Sequence, residues 1–551
     1  MTVCIEPAPN VSEGWKKIQT AGVTIWFFGH LYDHVDPAEL LSLWPTGGAA
    51  GELQHFLDRL DGHFALIADE GTRVVAAVDP VRSIPVYFAE KGPHIRISAD
   101  SEGLRRAAQL DEVDTESALA VAMAGYTIGA RTLFRNLQQL APGEFLLAER
   151  HGGPARRLRY HRYRPWSPVE ADSRDLERNL ADMTLSLMER IVRQASGRLI
   201  AVPLSAGLDS RLVVSALSEL GARNVMCFSY GLPGNYEAEA GKAIASHLGY
   251  PWTFVPFTPR SQRQFWFSEE NERYQRYADS NCSTTVVHDL PAIRVLLDDR
   301  VIDQTAIVIN GNSGDYVSGL HIQPPISDGL DPEAMRQWPS VVVGTMVKKH
   351  FRLWGGLADS DNDGIIARQL HGELAALGAE EVSAQQVHGY YEYLEFQDRQ
   401  SKYVISRQRI YDFLGLEWRL PLWSRDYLDF WQTVPLSLKR KQILYADMLR
   451  NANWGGVWQG GAWHFPRRVS PAWMRVGIRP LAKLVCAPFG RQAWHRFERH
   501  YLSYWTDLLA FQSIEPYWRV ARDGRGARHL VSWHTEAYLR RKGLNWNGTR
   551  L

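Results

Sequence analysis

Leu204-Ser205-Ala206-Gly207-Leu208-Asp209-Ser210 is the string in this chain best suited to chemistry. A loop of small residues can present backbone N–H groups to a ligand, and a helix starting at its end adds partial positive charge, so phosphate is the natural ligand. Asp209 would repel a bare phosphate, so its presence points to a divalent cation bridging carboxylate and phosphate. A glycine turn with Asp or Ser capping a helix explains the same short string without a ligand, and only context separates the two.

The elements that would position this loop alternate. LIAVPLS (199–205) reads as a buried strand and SRLVVSALSELG as a helix ending on Gly221. NVMCFSYG (224–231) is a second strand, and EAEAGKAIASHLG (237–249) a helix with an acidic first turn. PWTFVPF (251–257) and TAIVINGN (305–312) are further strands. Such alternation predicts a doubly wound parallel sheet, whose ligands bind off the carboxyl ends of the strands. Residues 380–450 read as mostly helical. Residues 1–150 are β-rich, with apolar or alternating runs at 23–32, 62–69, 73–80 and 84–90, a helix at 116–124 and a closing strand within 141–149.

Composition bounds the class. In 551 residues there are 62 Lys and Arg against 61 Asp and Glu, and 45% are hydrophobic. This excludes wholesale disorder and a whole-chain polyanion binder, so no nucleic-acid partner is expected. Four scattered cysteines without a CxxC pair exclude a disulfide scaffold or a four-thiolate zinc site. The opening MTVCIEPAPN does not resemble a signal peptide, and no run of about 18 apolar residues predicts an integral membrane segment. A cytoplasmic enzyme is expected. The charge is uneven, however: residues 461–551 hold 16 Lys and Arg against 5 Asp and Glu, and 7 of the 20 Trp.

The 204–210 loop resembles the S-G-G-x-D-S loop of N-type ATP pyrophosphatases, with Ala206 in place of one of the two glycines. The wider resemblance is to the asparagine synthetase family. Phe228-Ser-Tyr-Gly231 is similar to its second strand, whose end borders adenine, and Glu237–Gly249 to its E-x-x-x-A…LG helix. Asn310-Gly-Asn-Ser-Gly-Asp315 resembles S-G-E-G-S-D, Arg419-Leu-Pro-Leu-Trp-Ser424 resembles R-V-P-F-L-D, and Lys441-Gln-Ile-Leu444 resembles K-x-I-L-R. The resemblance implies that Asp209 and Asp315 hold Mg2+ against the triphosphate of ATP. It implies nucleotide contacts at Leu204, Ser205, Ala206, Gly207, Leu208, Asp209, Ser210, Ser229, Gly231, Asn310 and Gly311. Lys441, or Lys439 nearby, would stabilise transition-state charge. A substrate carboxylate would attack the α-phosphorus to give an acyl-adenylate, and an amine would then displace AMP. The family's catalytic glutamate falls on Asn312, which cannot accept a proton. Relatives that close β-lactam rings use a tyrosine–glutamate pair instead, for which Tyr390, Tyr391, Glu392 and Glu395 are the candidates.

The front of the chain resembles the glutamine-hydrolysing domain of the same family through Leu60-Asp-Gly-His-Phe64, Asp79…Pro85-Val-Tyr87 and Thr132-Leu-Phe134…Pro142-Gly143. That chemistry needs an N-terminal cysteine, whereas Cys4 follows Met-Thr-Val. The asparagine that donates to the oxyanion is replaced by Phe28. No glutaminase activity is expected.

The expected fold class is thus α/β: an Ntn-type, β-sandwich-like α+β domain, then a doubly wound parallel α/β domain with a helical C-terminal region. The divisions are 1–154 (amidotransferase-like), 155–176 (linker), 177–460 (synthetase) and 461–551 (basic, Trp-rich extension). The expected activity is ATP-dependent amide formation on a small-molecule or glycan carboxylate, with ammonia or another amine as donor. A silent nucleotide-binding scaffold and an intramolecular cyclase are the alternatives, and a homodimer is left open. Asp359–Gly364 imitates half a calcium loop, but its twelfth position is Leu370, so a polar surface turn is expected. For the basic tail, a helical cap over the synthetase is the favoured reading. The other is a dock for an anionic or lipid-linked substrate, with Arg540 and Arg541 as its test residues.

Overall fold

In the computed structural model, residues 2–5, 14–20, 22–33, 36–92, 94–151, 153–379, 381–469, 471–544 and 546 are described. Their first ten strands are β1 (Thr2–Ile5), β2 (Lys16–Thr20), β3 (Val23–Leu31), β4 (Gly62–Asp69), β5 (Arg73–Val78), β6 (Tyr87–Lys91), β7 (His94–Ser98), β8 (Leu137–Gln139), β9 (Glu144–Glu149) and β10 (Arg156–Arg159). They form a six-stranded sheet, β10-β9-β5-β4-β3-β2, and a four-stranded sheet, β1-β7-β6-β8. Residues 156–159, expected in a linker, are the edge strand of the larger sheet.

The apolar runs of β4 and β5 follow from burial on both faces, since successive side chains point to opposite sides. Ala65, Ile67, Val74 and Ala76 enter a core shared with Phe88, Ile95 and Ile97 of the smaller sheet. Phe64, Leu66, Val75 and Ala77 pack beneath Leu53, Phe56 and Leu57 of the helix Ala50–Asp58. Outside the smaller sheet, Tyr87 and Ala89 pack with Leu104 and Leu119 of the helices Ser101–Ala107 and Thr115–Ala124. The result is a helix–sheet–sheet–helix sandwich.

The third sheet comprises β11 (Ile200–Pro203), β12 (Val225–Gly231), β13 (Trp252–Pro256), β14 (Ile307–Ile309) and β15 (Glu417–Arg419), all parallel, in the order β13-β12-β11-β14-β15. The chain lays down β11, β12 and β13 outward, then returns to place β14 on the other side of β11. The order reverses there, which opens a crevice at the strand ends. Sandwich and doubly wound sheet together match the expected α/β class.

A buried helical stretch, Val387–Glu395 continuing to Val404, lies between the halves. Its Lys402 Nζ donates to the carbonyls of Thr127 (2.7 Å) and Gly129 (2.6 Å) and to Asp398 (2.7 Å). The end of the chain also returns to the front: the helix Leu530–Arg541 packs on Thr115–Ala124. Arg525 lies over the rings of Trp354 (4.4 Å), Trp546 (5.2 Å) and Trp533 (5.6 Å). This later part of the tail packs as a cap, but on the front helix Thr115–Ala124 as well as on Trp354, whereas the expected cap lay over the synthetase region. Arg540 pairs with Glu536, and Arg541 covers the Tyr538 ring. Asp359 caps the helix Ser360–Ala375 by accepting from the N–H groups of Asp361 and Asn362. No helix among the described residues is long and apolar enough to cross a membrane.

Candidate active site

The strand β11 ends at Pro203, and Leu204 N donates to Phe228 O (2.8 Å), tying the start of the loop to β12. Ser205 N donates to Ser210 Oγ (3.1 Å), and Gly207 N donates to Ser205 Oγ (3.2 Å), so the loop is folded around its own serines. The helix Leu208–Glu219 begins directly after Gly207 without a side-chain cap. The N–H groups of its first turn therefore have no acceptor within the helix and face the crevice with its partial positive charge. Ala206 does not adopt a positive φ, so alanine replaces glycine here without strain.

The loop after β14 closes against this one. A Cβ on Gly311 would lie 2.6 Å from Asp209 O and 2.9 Å from Ser210 N, so only glycine permits the approach. Asp315 N donates to Asp209 Oδ2 (3.2 Å), and Tyr445 Oη donates to Asp209 Oδ1 (3.1 Å). Burial, and then the Asp315 charge, push the Asp209 carboxyl up to about 7. Burial acts on Asp315 in the same sense, but the hydrogen bond and charge of His321 outweigh it and hold that carboxyl low. Two carboxylates thus share one site, and His321 offsets the charge of only one of them, Asp315. Hard oxygen donors of this kind suit Mg2+, which takes one or two carboxylates and completes its shell with phosphate and water.

A cleft of about 800 Å³ opens over these loops. Leu204, Ser205, Ala206, Gly207, Leu208, Asp209, Ser210, Ser229, Asn310, Gly311 and Asp315 all line it. The hydroxyl of Ser229 is already engaged, donating to Leu204 O (2.7 Å) and accepting from Trp252 Nε1 (3.0 Å). Gly231 is not in the lining: Leu232 N donates to Leu508 O (2.7 Å), and a Cβ on Gly231 would meet that oxygen at 2.6 Å. Lys441 is exposed and also outside the lining, and Lys439 is buried with its Nζ on both oxygens of Glu392 (3.0 and 3.1 Å). The cations that face the cleft are Arg399, Arg407, Arg467 and His321.

Sequence reasoning missed these cations and the wall they share with Asp507, Leu508 and Leu509, which comes from the tail. It also missed Asp289, which accepts from Tyr230 Oη and from Tyr411 Oη (2.9 Å) and lies 4.0 Å from Arg407 Nε. No motif marks these positions; only the folded order of the strands brings them together. Glu395, by contrast, was a candidate. It is fully buried and accepts from His350 (3.0 Å), Arg399 (3.1 Å) and Gln400 (2.9 Å). It also contacts Lys349 (3.5 Å) and His321, whose second nitrogen lies 3.2 Å from Asp315 Oδ2. Glu392 belongs to the separate Lys439–His388 cluster. Tyr390 stacks on Trp166 at 4.8 Å, and Tyr391 Oη reaches only His350 (3.4 Å). None of the four is a free base facing the cleft.

Asn312 lines the cleft, with Oδ1 accepting from Arg407 (3.3 Å) and Nδ2 buried without a partner among the described residues. Residues 185–453, which span both loops, match the family model for asparagine synthase. This stretch, just under half of the chain, is an asparagine synthase domain. Among solved structures, the glutamine phosphoribosylpyrophosphate amidotransferase from B. subtilis, complexed with ADP and GMP, is 13% identical, covering 50% of this chain and 77% of its own, with a TM-score of 0.20. A structure of the allosteric regulatory enzyme of purine biosynthesis is 12% identical over 44% of this chain and 62% of its own, also at 0.20. No curated protein matches the chain at a significant level. The synthetase-family site is therefore read from its own residues.

Proposed function

We propose that the chain is an ATP-dependent amide-forming ligase that activates a carboxylate as its acyl-adenylate. The observation that carries this reading is the meeting of Asp209 and Asp315 beside an uncapped helix N-terminus. The N–H groups of the 205–210 loop would hold the phosphates. Asp209 and Asp315 would hold Mg2+, which when bound would neutralise the triphosphate and orient its α-phosphorus. The substrate carboxylate then forms an O–P bond, the bond from the α-phosphorus to the departing pyrophosphate breaks, and an amine later displaces AMP.

Positioning and charge supply the catalysis. Arg399 and Arg407, rather than Lys441, are assigned to the developing charge because they line the cleft. Asn312 Nδ2, a buried donor without an acceptor, is assigned to a substrate oxygen. His321 is held between two carboxylates and keeps its proton, so it is no base for the amine. The amine's proton leaves to water or with the AMP phosphate. The front sandwich is proposed to be a non-hydrolysing partner domain: Phe28 occupies the oxyanion-donor position and packs on Trp15 at 5.5 Å.

Pyrophosphate release with a panel of carboxylates, with and without ammonia, tests this. Asp209→Ala is expected to abolish it, a loss of roughly a thousand-fold or more for removal of a metal-holding carboxylate. Release that survives the substitution would end the ligase reading and leave the scaffold alternative.

A further inference from the structure

The early part of the tail behaves unlike the later cap. Of fifteen large hydrophobic residues exposed among the described residues, seven fall within residues 473–489. The segment is helical, Met474–Ile478 running on into Arg479–Cys486. It has an inward side, where Met474 and Cys486 pack with Trp494 and Leu502 of the following turns. Its other side has no partner among the described residues: Val476, Leu481, Leu484, Val485 and Phe489 are 66–77% exposed. Leu481, Leu484 and Val485 stand at i, i+3 and i+4 and so share one helix face.

The charge around that face is of one sign. No Asp or Glu occurs between Asp447 and Glu498, whereas Arg475, Lys483 and Arg491 are exposed within or next to the segment. A second copy docking here would oppose like charges. A bilayer with anionic headgroups satisfies both features, apolar side chains entering the interface and cations meeting the headgroups. We propose that residues 473–489 dock the protein on an anionic lipid surface.

Continuity with the cleft gives the docking a use. Arg467 before the segment and Leu508 and Leu509 after it line the cleft, so the amphipathic stretch leaves from and returns to the cleft rim. Docking would bring the cleft beside the membrane, where a membrane-borne carboxylate could reach it.

Co-sedimentation of the full chain with phosphatidylcholine vesicles, with and without phosphatidylglycerol, tests the proposal. Binding is expected with phosphatidylglycerol, and much weaker binding without it. Neutralising Arg475, Lys483 and Arg491 to Gln should weaken binding on the order of 100-fold, each cation being worth about five-fold. Leu484→Asp with Phe489→Asp should weaken it roughly ten-fold or more. All five side chains are exposed, so the thermal melt should not move. The proposal is overturned by no binding to anionic vesicles, by equal binding to phosphatidylcholine alone, or by variants that bind as wild type. A wild-type dimer that the Leu484/Phe489 variant dissociates, without vesicle binding, would overturn it in favour of a second copy.

Discussion

His63 in the front sandwich and His321 in the cleft are both buried, yet they are held in opposite charge states. Burial, and then the Arg419 charge, push His63 down to about 3. Its neighbours are rings, with His30 at 5.4 Å and Trp418 at 5.5 Å, and Tyr32 Oη is 3.3 Å from its Nδ1. Burial also acts to lower His321, but Glu395 and Asp315 overcome it and raise the group to about 9. Burial alone therefore does not decide what a histidine does; the carboxylate beside it does. Around His63 the neighbours are neutral rings and the Arg419 charge, with no carboxylate to hold a proton on it, while the cleft pairs its buried histidine with carboxylates.

The sharpest way to break this contrast is to remove the carboxylate. Glu395→Gln leaves His321, His350, Arg399 and Lys349 around a neutral amide, and Glu395 is fully buried. The expected cost is about 3–5 kcal/mol, as for other buried pairs that lose one partner. Chemical denaturation measures it, and a loss under about 1 kcal/mol would mean that the network relaxes into solvent.

The pH dependence separates the two histidines next. The pKa of His321 is about 9 when folded, against 6.5 for the ordinary group. Its contribution is therefore fully present below about pH 6.5 and is lost as pH rises through about 9. In metal-free buffer, His321→Gln should cost about 3 kcal/mol at pH 6, less than about half of that at pH 8 and almost nothing above pH 10. His63→Gln should show no such window at alkaline pH, because His63 is already neutral there. A pH-independent difference for His321 would show that it is held by shape alone.

In the sandwich, Phe28→Ala should cost about 2–3 kcal/mol, less than a fully enclosed Phe because the ring borders a pocket of about 740 Å³. ATP-dependent turnover of the folded fraction should not change. Phe28→Asn restores the family's residue but should release no glutamate from glutamine. Glutamate release at a rate near that of the ligase would show that the sandwich has kept its hydrolytic machinery.

The parallel sheet and the two loops were legible because local pattern determines them. A buried strand, a small-residue turn and a helix leave a signature within twelve residues, and Asp209 and Asp315 each sit at a strand end. What was illegible depends on distant pairing. Gly231 looked like a nucleotide contact at the end of β12, yet Leu508, nearly 280 residues later, occupies that place. Arg467 and Asp507 come from a tail whose composition says that it is basic but not where it turns back. The tail's tryptophans and arginines suggested a cap over the synthetase; Trp533 and Arg525 do pack inward, but partly against the front, while the same composition at Trp473–Phe489 faces outward.

The smallest expected effect belongs to Lys441, which sequence alone preferred to its neighbour Lys439 for the transition-state charge. Lys439 is wholly buried and clasped by Glu392, itself bonded to His388 at 2.9 Å, so Lys439→Met should cost about 3–5 kcal/mol. Lys441, two residues on, is exposed in the left-handed region at φ 55°. Its neighbour Gln442 turns inward, donates to Ser318 Oγ (2.7 Å) and lines the cleft in its place. Lys441→Ala should therefore change stability by no more than about 0.5 kcal/mol. Turnover should stay within about two-fold of wild type if Arg399 and Arg407 carry the charge. A fall of roughly a hundred-fold in kcat at unchanged stability would mean instead that the 439–442 turn swings when substrate binds. Lys441 would then reach the phosphates, and the cleft seen here would be its open form.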